Sequence, residues 1–385
     1  MIDETLTMIP GPTPVHSRIL AALGRPTVSH MAPGFIETLK AALRDFRALC
    51  RSGSGQPFIV AGGGTLAMEM ALVNTVRAGE RVLVLSQGYF GDRFTECAAS
   101  FGIECDVLRS EWGRAVPPEE LAGRLATQSY AAVTITHVDT STGTAAPVEA
   151  YVRLLKGRPE IVILDGVCAT GGIDEPSEAW GIDVLLTAPQ KAIGAPPGLA
   201  LCLFSERALA RRKALPSVPA FYADIMRWLP IMADPGRYYS TPCVNEIVAL
   251  GEALRMVHEE GLDARFARHR RLAAAFRAAL AALGITLFTH RDCQAATLSV
   301  AMLPAGVEDG PFRARAAARG AVLAGGLGPI AGKAFRVGHM GNIGAGEVVA
   351  TLDAIGGALA DAGHRADVGA ALAAAASVLG EGDAR

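Results

Sequence analysis

The chain predicts an α/β fold of two domains, the larger built around a mostly parallel sheet. Three observations carry this expectation. From about residue 55 to 205, short apolar runs alternate with stretches of helical spacing. Polar, glycine-rich segments follow those runs directly. The length, 385 residues, is too great for one small core.

The runs are Val82-Leu83-Val84-Leu85, Ala132-Val133-Thr134-Ile135, Ile161-Val162-Ile163-Leu164, Val184-Leu185-Leu186 and Leu199 to Phe204. Strands covered on both faces read as continuous apolar runs, and strands alternating with helices favour parallel pairing. Leu66 to Val76 and Pro118 to Ala126 supply two of the helices. The polar segments are Ser86 to Gly91, His137 to Gly143, Asp165-Gly166-Val167 and Thr187 to Lys191. Ligands of open parallel sheets bind beyond the carboxyl ends of strands, so these four segments are expected at one edge.

A long helical pattern, Val244 to Glu260, leads out of the large domain. Beyond Gly261 come two more helical patterns, strand-like runs at Thr297 to Met302 and Ala334 to Val337, and an alanine-rich closing helix, Asp367 to Leu379. The organisation expected is an extended arm over 1–14, a large domain over 15–260 and a smaller α+β domain over 261–385. Ile9-Pro10-Gly11-Pro12-Thr13-Pro14 is too proline-rich for helix and is expected to lie extended against another surface.

A formal net charge of −2 argues against a nucleic-acid partner. No apolar run reaches the roughly 18 residues of a membrane span. Met1-Ile2-Asp3-Glu4 lacks the order of a secretory signal, and Gly382-Asp383-Ala384-Arg385 carries no recognisable address, so a soluble cytoplasmic protein is expected. Cys50, Cys97, Cys105, Cys168, Cys202, Cys243 and Cys293 are odd in number without a C-x-x-C pair, which suggests neither disulfides nor a metal site.

The chemistry is read from Lys191 and Asp165. A carboxylate at one strand end and a lysine just past the next strand are what pyridoxal phosphate requires: the lysine forms a Schiff base with the aldehyde, and the aspartate keeps the pyridine nitrogen protonated. Lys40, Lys156 and Lys213 sit in polar, helix-like surroundings. Lys191 instead lies before the rigid turn Gly194-Ala195-Pro196-Pro197-Gly198. Asp165 ends an apolar strand, where an unpartnered buried carboxylate would cost several kcal/mol. Val167 is expected to press on the ring.

Gly62-Gly63-Gly64-Thr65 before a helix can cradle a phosphate, although a plain tight turn is the commoner use of such glycines. Phe90 is placed either to lie flat on a pyridine ring or to fill the core. His137 is expected to be structural, with Asp139, Ser141 and Thr142 as polar contacts to the ring or phosphate. Arg336, inside a short apolar strand, wants a planar anion such as an α-carboxylate, or else an internal salt bridge.

Together these residues resemble the class V, fold-type I aminotransferases, particularly the alanine–glyoxylate and serine–pyruvate branch. The resemblance runs nearly end to end. It rests on Pro10-Gly11-Pro12, Ser29-His30-Met31, Gly88 to Arg93, His137 to Gly143, Asp165, Gln190-Lys191-Ala192, Ala195 to Gly198, and Ala324 through Lys333 to Arg336. It implies a mostly parallel seven-stranded sheet and a pyridoxal phosphate cofactor. Lys191 would be the Schiff-base lysine and Asp165 the pyridinium partner. Phe90 takes a place usually held by tryptophan or tyrosine. Gly63, Gly64, Thr65 and Gln190 would hold the phosphate, with Ser141 and Val167 beside the ring. Arg336, Pro12 and His30 would meet the substrate. Tyr238 and Thr241 match positions that reach a neighbouring subunit's phosphate, implying a homodimer with shared sites.

Two departures stand out: the glycine segment lacks the serines of relatives, and Gly166 stands where serine or alanine is usual. The resemblance implies ping-pong transamination from a small amino acid (alanine or serine) to glyoxylate or pyruvate. Alternatives are pyridoxamine–pyruvate and ureidoglycine–glyoxylate aminotransferases, and a lyase of the cysteine desulfurase kind. The lyase needs a cysteine on Ala324 to Lys333, where none stands; the nearest is Cys293.

Overall fold

Seven strands form one sheet in the order Gln56–Ala61, Leu199–Phe204, Val184–Thr187, Ile161–Asp165, Ala132–Thr136, Arg81–Ser86, Glu104–Arg109. This is a computed structural model describing residues 5–380; Met1 to Glu4 and Glu381 to Arg385 lie outside the described residues. Every expected apolar run is a strand. Leu199–Phe204 runs antiparallel to both its neighbours and the other strands are mutually parallel. A continuous apolar run reports burial on two faces and says nothing of direction.

Two strands were not anticipated. Glu104–Arg109 is an edge strand whose polar residues meet solvent, so it has no apolar run to find. Gln56–Ala61 hides behind Gln56-Pro57, a start tolerated because a proline at a strand's beginning removes no interior ladder bond. Ile163 and Leu164, fully buried at the sheet's centre, are each worth about 1.5–3 kcal/mol of burial.

The helix expected over Leu66 to Val76 spans Gly64–Val73. Its end comes early because side chains take over the last carbonyls: Asn74 Nδ2 donates to Met70 O at 2.7 Å and Thr75 Oγ1 to Ala71 O at 2.6 Å. Pro118–Thr127 and Val244–Glu260 lie where the patterns put them.

A second apolar cluster, around Phe276, Leu280, Phe312, Phe335, Leu352 and Ile355, belongs to the C-terminal part. There Leu298–Met302, Ala334–Gly338 and Ala324–Gly325 make an antiparallel three-stranded sheet against helices Leu262–Ala282, Ala345–Asp361 and Val368–Gly380. A third, small cluster (Val138, Cys168, Ala169, Ala192, Leu298, Val300, Met340) joins the two. The arm is not wholly extended. Leu6–Thr7 pairs with Ala321–Val322, and the chain then turns at Gly11, whose φ of 145° suits glycine.

Candidate active site

Asp165 closes its strand at the carboxyl edge of the sheet, 4% exposed. Its Oδ1 accepts the Val167 N–H at 2.9 Å, its one hydrogen bond among the described residues. Burial pushes its carboxyl up to about 7; that amide bond and Lys191 oppose the rise, while the negative Asp139 and Glu175 add to it. Such a carboxyl is poised to meet a cation.

Lys191 lies in the turn after strand Val184–Thr187. Burial holds its amine below the usual lysine range; the Cys168 and Asp165 charges oppose this, and the Arg336 cation reinforces it. Nζ donates to the carbonyl of Pro10 at 2.9 Å. Thr13 pins the same turn, its Oγ1 donating to Lys191 O at 2.9 Å and its N–H to Gln190 O at 3.0 Å. A Cβ on Gly11 would overlap the Lys191 side chain, so glycine lets the arm lie directly on the lysine. Pro12, exposed, tops that crossing.

Gly63 precedes the helix Gly64–Val73 and no side chain caps it, which leaves its first amide N–H groups free. Thr65 is exposed and its hydroxyl is unengaged among the described residues. A Cβ at Gly64 would stand 3.1 Å from Val167 Cγ2 and 3.7 Å from Ala188 Cβ, so this terminus, the Asp165 loop and the lysine turn converge. Gln190 Oε1 is buried without a partner among the described residues.

The His137–Gly143 loop serves another purpose than expected. Asp139 Oδ2 accepts the N–H groups of Phe90 and Gly91, both at 3.0 Å, and its Oδ1 accepts Ser141 Oγ at 2.6 Å and Ser141 N at 2.9 Å. Ser141 Oγ in turn accepts the Tyr89 N–H at 3.0 Å, and Thr142 Oγ1 donates to Gln87 O at 3.1 Å. These side chains cap the helix Tyr89–Ser100 and the loop itself, so the Ser141 hydroxyl proton is already committed. The Asp139-to-Ser141 amide bond is an Asx turn, a signal open to a sequence reader. Phe90 is half-buried, with its ring edge-on to Tyr89 at 5.4 Å.

His137 is structural, as expected: its Nδ1 lies 2.6 Å from Glu175 Oε1, and Glu175 Oε2 accepts Thr170 Oγ1 at 2.6 Å. Gly166 has its reason here, since a Cβ would collide with the Thr170 hydroxyl.

Arg336 Nε donates to Gly325 O at 2.8 Å and Nη1 to Thr140 O at 3.2 Å. Among the described residues no carboxylate pairs with it, so the internal salt bridge is absent. Nη2 keeps free donors, and burial lowers the guanidinium pKa.

His30, Tyr238 and Thr241 stand apart. His30 tilts on Tyr238 at 5.4 Å, and Tyr238 is 63% exposed with its hydroxyl 3.4 Å from Thr241 Oγ1. None shares a hydrogen bond with the residues around Lys191. His30 sits on an exposed loop before helix Pro33–Leu49, which directs it to Tyr238 and not to Arg336.

Sequence reasoning missed Cys168, Thr13 and the carbonyls of Pro10 and Thr140. Only Cys168, three residues past Asp165, left a signal. Cys293 Sγ donates to Gly113 O at 3.3 Å, half-buried and with its thiol pKa raised by burial, which does not suit a nucleophile. A cleft of about 860 Å³ beside Val162, Trp180 and Asp183 opens at the amino ends of the strands, away from this chemistry.

No described helix is long and apolar enough to cross a membrane. The family model described as aminotransferase class-V matches residues 14–309. Alanine–glyoxylate aminotransferase 1 of Saccharomyces cerevisiae is 36% identical over 87% of this chain and 91% of its own. Serine–glyoxylate aminotransferase of Arabidopsis thaliana is 30% identical over 96% of this chain and 94% of its own. The crystal structure of pyridoxamine–pyruvate aminotransferase from Mesorhizobium loti matches with a TM-score of 0.93 and 30% identity, covering 99% of this chain and 98% of that one. The expected fold-type I architecture, with its seven-stranded sheet, holds. A match running from the arm into the C-terminal sheet, over the edge where Asp165 and Lys191 meet, has one reading: the chain belongs to the class-V aminotransferases.

Proposed function

We propose that the chain transfers an amino group from a small amino acid, alanine or serine, to glyoxylate or pyruvate, using pyridoxal phosphate. The single observation that carries this is the placement at one sheet edge of the buried Asp165 carboxyl, its pKa raised by burial, and the half-buried Lys191 amine, its pKa lowered by burial. The residues present fit the coenzyme. Asp165 lacks the cation that a pyridinium would supply, and the helix at Gly63, Gly64 and Thr65 is open to an anion. One end of the Gln190 amide is buried unpaired, and turning the amide would offer its N–H groups to a phosphate.

Bound there, pyridoxal phosphate would supply an aldehyde for amines and an electron-poor ring that accepts the electron pair of a Cα–H bond. Lys191 Nζ, its pKa lowered by burial, is suited to take the proton from the donor's Cα and later return it. Arg336 Nη2 clamps the substrate carboxylate, while its bonds to Gly325 O and Thr140 O fix the fork's plane. Val167 and Phe90 would help to hold the ring. Ser141 acts through Asp139, as a support.

The open helix terminus favours a phosphorylated coenzyme; pyridoxamine as amino donor is the second reading, supported by likeness to the Mesorhizobium enzyme. We place the domain boundaries at 14–15 and 260–261, near the arm's crossing of Lys191 and at Gly261. A homodimer belongs to this reading, with exposed Val28, Met31, Phe221 and Tyr238 as its apolar face. Tyr238 and Thr241 would then serve the neighbouring site, and a cytoplasmic location fits.

Borohydride reduction of the coenzyme-loaded protein, followed by peptide mapping, is expected to place the label on Lys191. Label on another amine defeats the reading. Lys191→Ala is expected to abolish turnover, and a screen of amino donors against glyoxylate and pyruvate identifies the substrate pair.

A further inference from the structure

Three segments that carry the proposed chemistry meet on a side chain outside it. Arg265, in the first turn of helix Leu262–Ala282, is 3% exposed. Its Nε donates to Gly171 O at 2.9 Å, in the loop that follows Asp165. Its Nη2 donates to Ala192 O at 2.6 Å, the residue after Lys191, and to Gly341 O at 3.2 Å, just past the strand of Arg336. Nη1 pairs with Glu260 Oε2 at 2.7 Å, so the buried charge has its counter-ion.

His269 stands one helical turn on, on the same face. Its Nε2 accepts the Gly341 N–H at 3.0 Å, which leaves Nδ1 to donate to Arg265 O at 2.8 Å. The segments are already pressed together. A Cβ on Gly172 would come within 2.7 Å of Thr297 Cγ2 and 2.9 Å of Ala192 Cβ, and one on Gly341 within 2.9 Å of Lys191 O.

From this geometry we propose that Arg265, with His269 behind it, is a positioning residue: it sets the Lys191 turn and the Asp165 loop in fixed relation to the Arg336 strand. The planar five-donor fork is what lets one side chain hold three carbonyls and a carboxylate at once, which a lysine cannot do. The benefit is accuracy, because misplacing a reacting group by about 1 Å can cost on the order of a hundredfold in rate. The proposal rests on the coenzyme reading above for its meaning, not for its geometry.

Arg265→Lys keeps the charge and the reach to Glu260 but loses the fork. Hydrogen–deuterium exchange on the full, coenzyme-free chain is expected to quicken about tenfold or more in peptides covering 166–172, 188–195 and 338–343. Strand Arg81–Ser86 and helix Ala345–Asp361 keep their protection. In the loaded protein, kcat falls more than KM rises, and the pH dependence of the coenzyme's visible absorbance moves. Unchanged exchange at all three peptides, or a uniform rise across the chain, overturns the proposal. Should Arg265→Lys not fold, His269→Phe takes its place, with quickened exchange expected at 338–343; undiminished protection there overturns the proposal equally. If the wild type carries no borohydride label on Lys191, the coenzyme reading fails, and the exchange data still decide the role of Arg265.

Discussion

Two helices begin at the same edge of the sheet, one after strand Gln56–Ala61 and one after Arg81–Ser86, each with a glycine at the cap and no capping side chain of its own. At Gly88 the protein closes the terminus itself, with Asp139 and Ser141 accepting the N–H groups of Tyr89, Phe90 and Gly91. A Cβ on Gly88 would come within 2.5 Å of Ser141 Oγ, so the closure is tight. At Gly63 no side chain among the described residues closes it, and Thr65 beside it is exposed. The same local grammar of strand, glycine and helix thus serves as scaffold in one place and, in the proposed function, as the seat of the coenzyme phosphate in the other.

The sharpest way to break this comparison is to put a carboxylate at the open end. Thr65→Asp is expected to weaken coenzyme binding about a hundredfold, on the order of 2.7 kcal/mol, read by fluorescence titration. Its melting temperature should hold or rise, because an acid in a first turn is worth about 0.3–1 kcal/mol. Unaltered affinity would mean that the phosphate sits elsewhere. Asp139→Ala should do the opposite. Amides left without an acceptor cost about 1–3 kcal/mol each, so urea unfolding of the coenzyme-free chain should show a loss of about 3 kcal/mol, with a smaller effect on affinity per folded molecule.

Asp165 adds a pH signature. Its folded pKa, about 7, lies above the unfolded value of about 3.9. Between those values the folded chain binds more protons than the unfolded, so the stability of the coenzyme-free chain should fall as pH rises from about 4 to about 7, then level off. Asp165→Asn, which keeps an acceptor for the Val167 amide, should flatten that slope and gain on the order of 2 kcal/mol at pH 8; identical pH profiles would refute it. The smallest effect is that of inorganic phosphate alone: at ten times its dissociation constant it should stabilise the wild type by about 1.4 kcal/mol and Thr65→Asp hardly at all.

How much of this was legible follows physical lines. Continuous apolar runs report central strands, so five were found, whereas Glu104–Arg109 at a wet edge was not. Asp165 stood out because a buried carboxylate at a strand end has few structural uses, and Lys191 because it precedes a rigid proline–glycine turn instead of lying in polar, helix-like surroundings. Asp139 was misread: a polar residue after a strand was assigned to a ligand, and its amide bond to Ser141 N was overlooked. The crossing of Pro10 over Lys191 joins residues 181 positions apart, and no local pattern encodes it. The empty ion-pair partnership of Arg336 needed coordinates too, since sequence does not say which acids come near.

The reversal at Leu199 has a mechanical consequence. Thr187 and Leu201 are direct neighbours across the ladder, so the stretch bearing Lys191 is a hairpin loop clamped at its two feet by adjoining strands. A parallel continuation would have sent the backbone off through a crossover helix, with one foot loose. Motion of the amine is thereby left to the four methylenes of its own stem.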